Sequence, residues 1–65
     1  MTNLNILYRF IKKEAERRDN VYKNFIETNH PDALEIFNFH NGIVNDAIKE
    51  YLENGGKREI KKFQK

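Results

Sequence analysis

Sixty-five residues, 34% of them charged and with a net charge of +2, make one domain at most. A chain this short buries only about 60% of the surface it exposes when unfolded, and without cysteine it has neither a disulfide nor a thiolate metal site to compensate. Serine is missing too, so the commonest activated nucleophiles are absent. No phosphate loop, zinc signature or nucleophile–base pattern occurs, and neither catalysis nor a cofactor or metal is expected.

The first element begins near Leu4. Apolar residues fall at Leu4, Leu7, Tyr8, Ile11, Ala15, Tyr22, Phe25 and Ile26, at helical spacings of three and four. With Phe10 and Val21 they span an arc of about 160° at 100° per residue, and Ile6 alone lies outside it. The spacing predicts one helix over 4–28 with a weak middle, because Lys12–Asn20 contributes only Ala15 to the stripe. Glu14 and Arg18 face inward there as an i,i+4 pair in the favourable order. They imply a polar layer at mid-bundle, with Arg18 expected against Asp46.

Asn29-His30-Pro31-Asp32 breaks the chain, since proline cannot continue a helix and pushes its predecessor away from the α region. Pro31 at a first helical position, with Asp32 and Glu35 in the first turn, starts the second helix. Its stripe is Ala33, Phe37, His40, Val44, Ala47 and Tyr51, with alternating steps of four and three, a heptad seam. The seam keeps phase across Asn41-Gly42, so one helix over 31–53 is expected despite that turn-forming pair. His40 on the seam is expected to be a hydrogen-bonded polar residue that sets register. Counting Leu34, Ile36, Phe39, Ile43, Ile48 and Leu52, the apolar arc widens to about 220°. One neighbouring helix cannot cover that, so a further covering element, supplied by another chain, is expected.

Glu53-Asn54-Gly55-Gly56 is a helix stop. Beyond it, Lys57–Lys65 carries five basic residues, one acidic residue and only Ile60 and Phe63 as apolar residues. That tail is expected to be disordered, or to form a short strand or helix turn. Charge alternates along the chain: +2 over 1–28, −4 over 29–56 and +4 over 57–65.

The fold expected is therefore all-α. A helical hairpin domain (1–56) of two antiparallel helices is followed by a basic C-terminal tail (57–65), and two copies dimerise into a four-helix bundle. The length and single central break resemble those of small RNA-binding helical hairpins that dimerise in this way. Separately, Val44-Asn45-Asp46-Ala47-Ile48-Lys49-Glu50-Tyr51-Leu52 is similar to the second helix of ribbon-helix-helix repressors. That resemblance implies a strand near 23–28, a first helix from Pro31 to about His40, and binding in the DNA major groove as a dimer.

The leading functional expectation is a small regulatory or adaptor protein acting through helix-mediated protein–protein contacts, such as a phage- or bacterium-encoded inhibitor of a larger protein. Heavy use of Asn, Lys and Ile suits an AT-rich genome of that kind. Leu7, Ile11, Tyr22, Phe25, Phe37, Val44, Ala47 and Tyr51 are expected to build the assembly, and Ile36, Phe39 and Ile43 to offer a further docking face. The alternative is a nucleic-acid-binding regulator. Its contacts would come from Lys57, Arg58, Lys61, Lys62 and Lys65 in the tail, with Lys12, Lys13, Arg17 and Lys23 as a weaker patch. Met1–Phe10 has no basic start, and no run reaches the ~20 apolar residues of a membrane span, so a cytoplasmic location with no membrane contact is expected.

Overall fold

A computed structural model describes residues 3–65. Two α-helices, α1 (Leu4–Glu27) and α2 (Ala33–Glu53), lie antiparallel, and a short 3-10 helix, Lys61–Phe63, follows. The architecture is an all-α helical hairpin, in agreement with the sequence.

Local chemistry sets the ends of each helix. At the start of α1, the Asn3 side-chain oxygen accepts from the backbone N–H groups of Asn5 at 3.0 Å and Ile6 at 3.2 Å, satisfying two of the donors a helix leaves open. Both helices stop in the same way. The His30 N–H donates to the Phe25 carbonyl and Asn29 to Ile26, with Asn29 at φ 54°. Gly56 donates to Tyr51 and Gly55 to Leu52, with Gly55 at φ 87°. Each is a paired-carbonyl stop built around one left-handed residue, a conformation open to glycine and asparagine at low cost.

The second helix starts two residues later than expected. Pro31 and Asp32 form a turn, and the Asp32 side chain makes no capping bond. The Asp32 N–H instead donates to His30 Nδ1 at 3.1 Å. Asn41-Gly42 does not interrupt α2, because the apolar seam keeps its phase through that pair and tertiary packing outweighs local turn preference. The segment 23–28 is helical up to Glu27, so the strand implied by the repressor resemblance does not form, and α2 runs on well past His40.

The helices pack in one register. Tyr8 meets Tyr51 with ring centroids 6.0 Å apart, Arg18 meets Asn41 at 2.9 Å, and Tyr22 meets Phe37 at 4.8 Å; each pair of residue numbers adds to 59. The core lies in the half of the hairpin away from the connecting loop. It consists of Ile11, Ala15, Val44, Ala47, Ile48, Tyr51, Ile60 and Phe63, with Leu4, Leu7 and Tyr8 packed against it.

Two of those core residues come from the tail, which returns along the hairpin. The Tyr51 hydroxyl accepts from the Arg58 N–H at 3.0 Å, and the Arg58 guanidinium lies 4.8 Å over the Tyr8 ring. Phe63 meets Tyr8 edge-on at 5.9 Å. Burial of Ile60 and Phe63, at 6% and 8% exposure, contributes roughly 1.5–3 kcal/mol each. One flank of the wide apolar arc of α2 is therefore covered by this chain's own C-terminal residues, where the sequence pointed to a second chain.

Candidate interaction surfaces

Arg18 joins the tail to the hairpin. It is fully buried. Its Nε donates to Asp19 Oδ1 at 2.9 Å, and its Nη1 donates to Asn41 Oδ1 at 2.9 Å and to the Phe63 carbonyl at 2.7 Å. Nη2 is buried without a partner, and the guanidinium lies 5.6 Å over the Phe37 ring. A polar layer thus exists at mid-bundle, but not with the partner expected. Asp46 is five residues beyond Asn41, the residue of α2 level with Arg18, and it is exposed. Glu14 pairs with Arg17 at 4.0 Å rather than with Arg18.

His40 lies half-buried on the seam, with its ring edge-on to Phe39 at 5.3 Å. Its Nδ1 is buried and has no hydrogen-bond partner among the described residues, so the hydrogen bond expected of it is not made there.

The residues expected to mediate assembly divide into two groups. Ile11, Val44, Ala47 and Tyr51 are buried within the single chain, while Leu7, Tyr22, Phe25 and Phe37 are half-buried along the hairpin seam. Ile36 and Ile43 are also half-buried, but Phe39 is 67% exposed.

The tail defines which flank of each helix is covered. On α1 it touches Tyr8 and Arg18; on α2 it touches Tyr51, Asn41 and the Ile48 flank. At 100° per residue, Phe10 and Ile6 on α1 lie on the flank away from Tyr8, and Ile36, Phe39 and Ile43 on α2 lie on the flank away from Ile48. The tail therefore covers one face of the hairpin from its free ends to the level of Asn41, with Leu52, Ile26 and Leu34 still exposed on that side, and the opposite, open face carries apolar residues from both helices. Ile6 and Phe10 were missed as surface candidates because Ile6 lies off the helical stripe and Phe10 at its edge.

The two faces differ in charge. On the tail side, Lys57, Arg58, Lys61, Lys62 and Lys65 are all exposed, and Lys62 Nζ lies 5.1 Å from the centroid of the Phe63 ring. Leu52, Lys57, Arg58, Glu59, Ile60, Lys61 and Gln64 line a cleft of about 380 Å³. On the open side, Ile6, Arg9, Phe10 and Lys13 line a cleft of about 310 Å³, while α2 presents Asp46 and Glu50 beyond its apolar residues. Among the described residues no group of three acidic or histidine side chains converges as a metal site, and no helix is long and apolar enough to cross a membrane.

No protein-family model, curated protein or solved structure matches the chain.

Proposed function

We propose that this is a small, non-enzymatic regulatory or adaptor protein that acts by docking the open face of its hairpin on another protein. The observation that carries this reading is the cluster of Ile36, Phe39 and Ile43 on the face the tail leaves bare, with Phe39 at 67% exposure. In a chain of this size, a phenylalanine held on the rigid interior of a 21-residue helix yet left in water is an anchor of the kind that dominates protein interfaces. Self-association into a four-helix bundle and docking on a larger target are the two ways such a face is covered.

The second reading is nucleic-acid binding through the tail. It is favoured by the docking of Ile60 and Phe63, which holds five cations on a folded surface rather than on a loose segment. That binding would weaken steeply with salt, whereas docking through the apolar face would respond little.

Photo-crosslinking in cells separates the two. With Phe39 replaced by benzoylphenylalanine, adducts to protein are expected, and Ile43→Asp should abolish them. With Lys62 replaced instead, adducts should be sparse. Protein adducts absent at position 39, with nucleic acid captured at position 62, would overturn the first reading in favour of the second.

A further inference from the structure

The open face is not uniform, and its two halves are complementary. On α1 the exposed outer row carries Arg9, Lys13 and Arg17; on α2 the corresponding row carries Asp46, Glu50 and Glu53. Arg9, Lys13, Asp46 and Glu50 form no ion pair with any described residue of the chain, whose ion pairs are Glu14–Arg17, Arg18–Asp19 and Lys49–Glu53. The hairpin thus exposes an apolar basic strip beside an apolar acidic strip, and Arg9, Lys13, Asp46 and Glu50 in them are left unpaired among the described residues.

We infer that the open face binds a second copy of this chain, with α1 of each copy lying on α2 of the other about a two-fold axis parallel to the helices. The inference rests on the reading of that face as a protein-docking surface and names its occupant. The register supplies the geometry. Residues level with one another add to 59, as Tyr8 with Tyr51 and Tyr22 with Phe37 do. Lys13 is therefore level with Asp46, and Arg9 with Glu50. A two-fold axis along the hairpin exchanges the helices but keeps the level, so Lys13 meets Asp46 of the second copy and Arg9 meets its Glu50, each pair occurring twice. Val21, half-buried on the same flank of α1, comes level with Asn38, next to Phe39 of the other copy. A two-fold axis across the helices would instead set α1 on α1 and α2 on α2, opposing three cations to three cations and three carboxylates to three carboxylates. Like-charge juxtaposition of that kind selects against a docking mode.

Size is sufficient. The molecule measures 41 × 18 × 14 Å, so a long face offers an area of the order of the ~800 Å² per partner of standard stable interfaces. A symmetric, self-complementary contact is also the commonest way for soluble chains to associate. The ridges of one α1 fitting the grooves of the other copy's α2 would give the near-antiparallel packing of four-helix bundles.

Sedimentation equilibrium of the full chain over a wide concentration range tests this, with circular dichroism confirming that each variant keeps its helicity. The wild-type chain is expected to dimerise. Lys13→Glu alone and Asp46→Lys alone should each weaken dimerisation by about tenfold or more, since each turns two attractions into two repulsions. The double variant Lys13→Glu/Asp46→Lys should recover the affinity, as should an equimolar mixture of the two single variants, in which both pairs are opposite in sign. A dimer indifferent to these exchanges, or one the double variant fails to restore, would overturn the arrangement. A chain that stays at single-copy mass at every concentration would overturn self-association altogether. In that case heterologous adducts from position 39 would still uphold the docking reading, and their absence would remove it as well.

Discussion

Arg18 and Phe63, 45 residues apart, are joined by a 2.7 Å hydrogen bond from a fully buried guanidinium to a backbone carbonyl. The bond ties the middle of α1 to the 3-10 helix at the far end of the chain. It gives an inward-facing charge on an apolar stripe a definite partner, and it puts the tail under the control of the hairpin core.

Arg18→Leu separates these two roles. The guanidinium leaves Nη2 buried and unpaired, a cost of about 1–3 kcal/mol, and its carboxylate partner Asp19 is 47% exposed, so its removal strands no buried anion. Replacing a buried charge by a hydrocarbon of similar volume is often neutral or stabilising. The expected result is a higher midpoint in urea, together with faster amide exchange over 61–65 as the carbonyl clamp is lost.

Phe63→Ala removes an aromatic ring that packs with Tyr8 and lies in the main core. A loss of about 3 kcal/mol is expected in equilibrium urea unfolding. Lys62→Ala, a neighbour whose side chain is exposed, should change stability by less than about 0.5 kcal/mol.

Two glycines should respond with opposite signs. A Cβ on Gly56 would run into the Tyr51 ring, which is held by Tyr8 on one side and by its bond to Arg58 on the other. Gly56→Ala should therefore cost about 1–3 kcal/mol. Gly42 lies inside α2 with nothing near its would-be Cβ, so Gly42→Ala should stabilise by about 0.5–1 kcal/mol. Thermal melts of the two variants check both signs.

His40→Leu replaces a seam residue whose Nδ1 is buried and unpartnered by the apolar residue the seam pattern calls for. Stability should rise by about 1 kcal/mol, read as a higher urea midpoint. A fall would mean that the imidazole makes a contact worth more than its buried nitrogen costs.

What could be read from the sequence follows what is local. The loop and the end of α2 were legible because Pro31, Gly55 and Gly56 act on their own backbone, although α2 begins two residues past the expected Pro31, and both seams were legible because they repeat at the helical period. The inward direction of Arg18 followed from the same count, but its partner did not, since pairing depends on how two helices slide past each other. The Tyr8–Tyr51 and Tyr22–Phe37 contacts that set the register at 59 have no signature within either helix. Docking of the tail was hidden for a related reason: Ile60 and Phe63 are two apolar residues in nine, too few to show a period, and the chain passes so close over Tyr51 that only a glycine fits at position 56. The open face was half legible, through Ile36, Phe39 and Ile43. Its α1 side was not, because Ile6 lies off the stripe that marks the core and Phe10 only at its edge.

The aromatic contacts also bear on how the molecule can be observed. The chain has three tyrosines and no tryptophan, and the register divides those tyrosines between the two ends of the hairpin. Tyr22 packs at a tilt against Phe37 near the loop, while Tyr8 and Tyr51 lie under the tail, in contact with Phe63 and Arg58. Intrinsic ultraviolet emission therefore holds two separable reporters. With Tyr22→Phe, the remaining signal follows the return of the tail onto the hairpin; with Tyr8→Phe and Tyr51→Phe together, it follows the closure of the loop end. The order in which the two halves assemble can thus be timed without a dye.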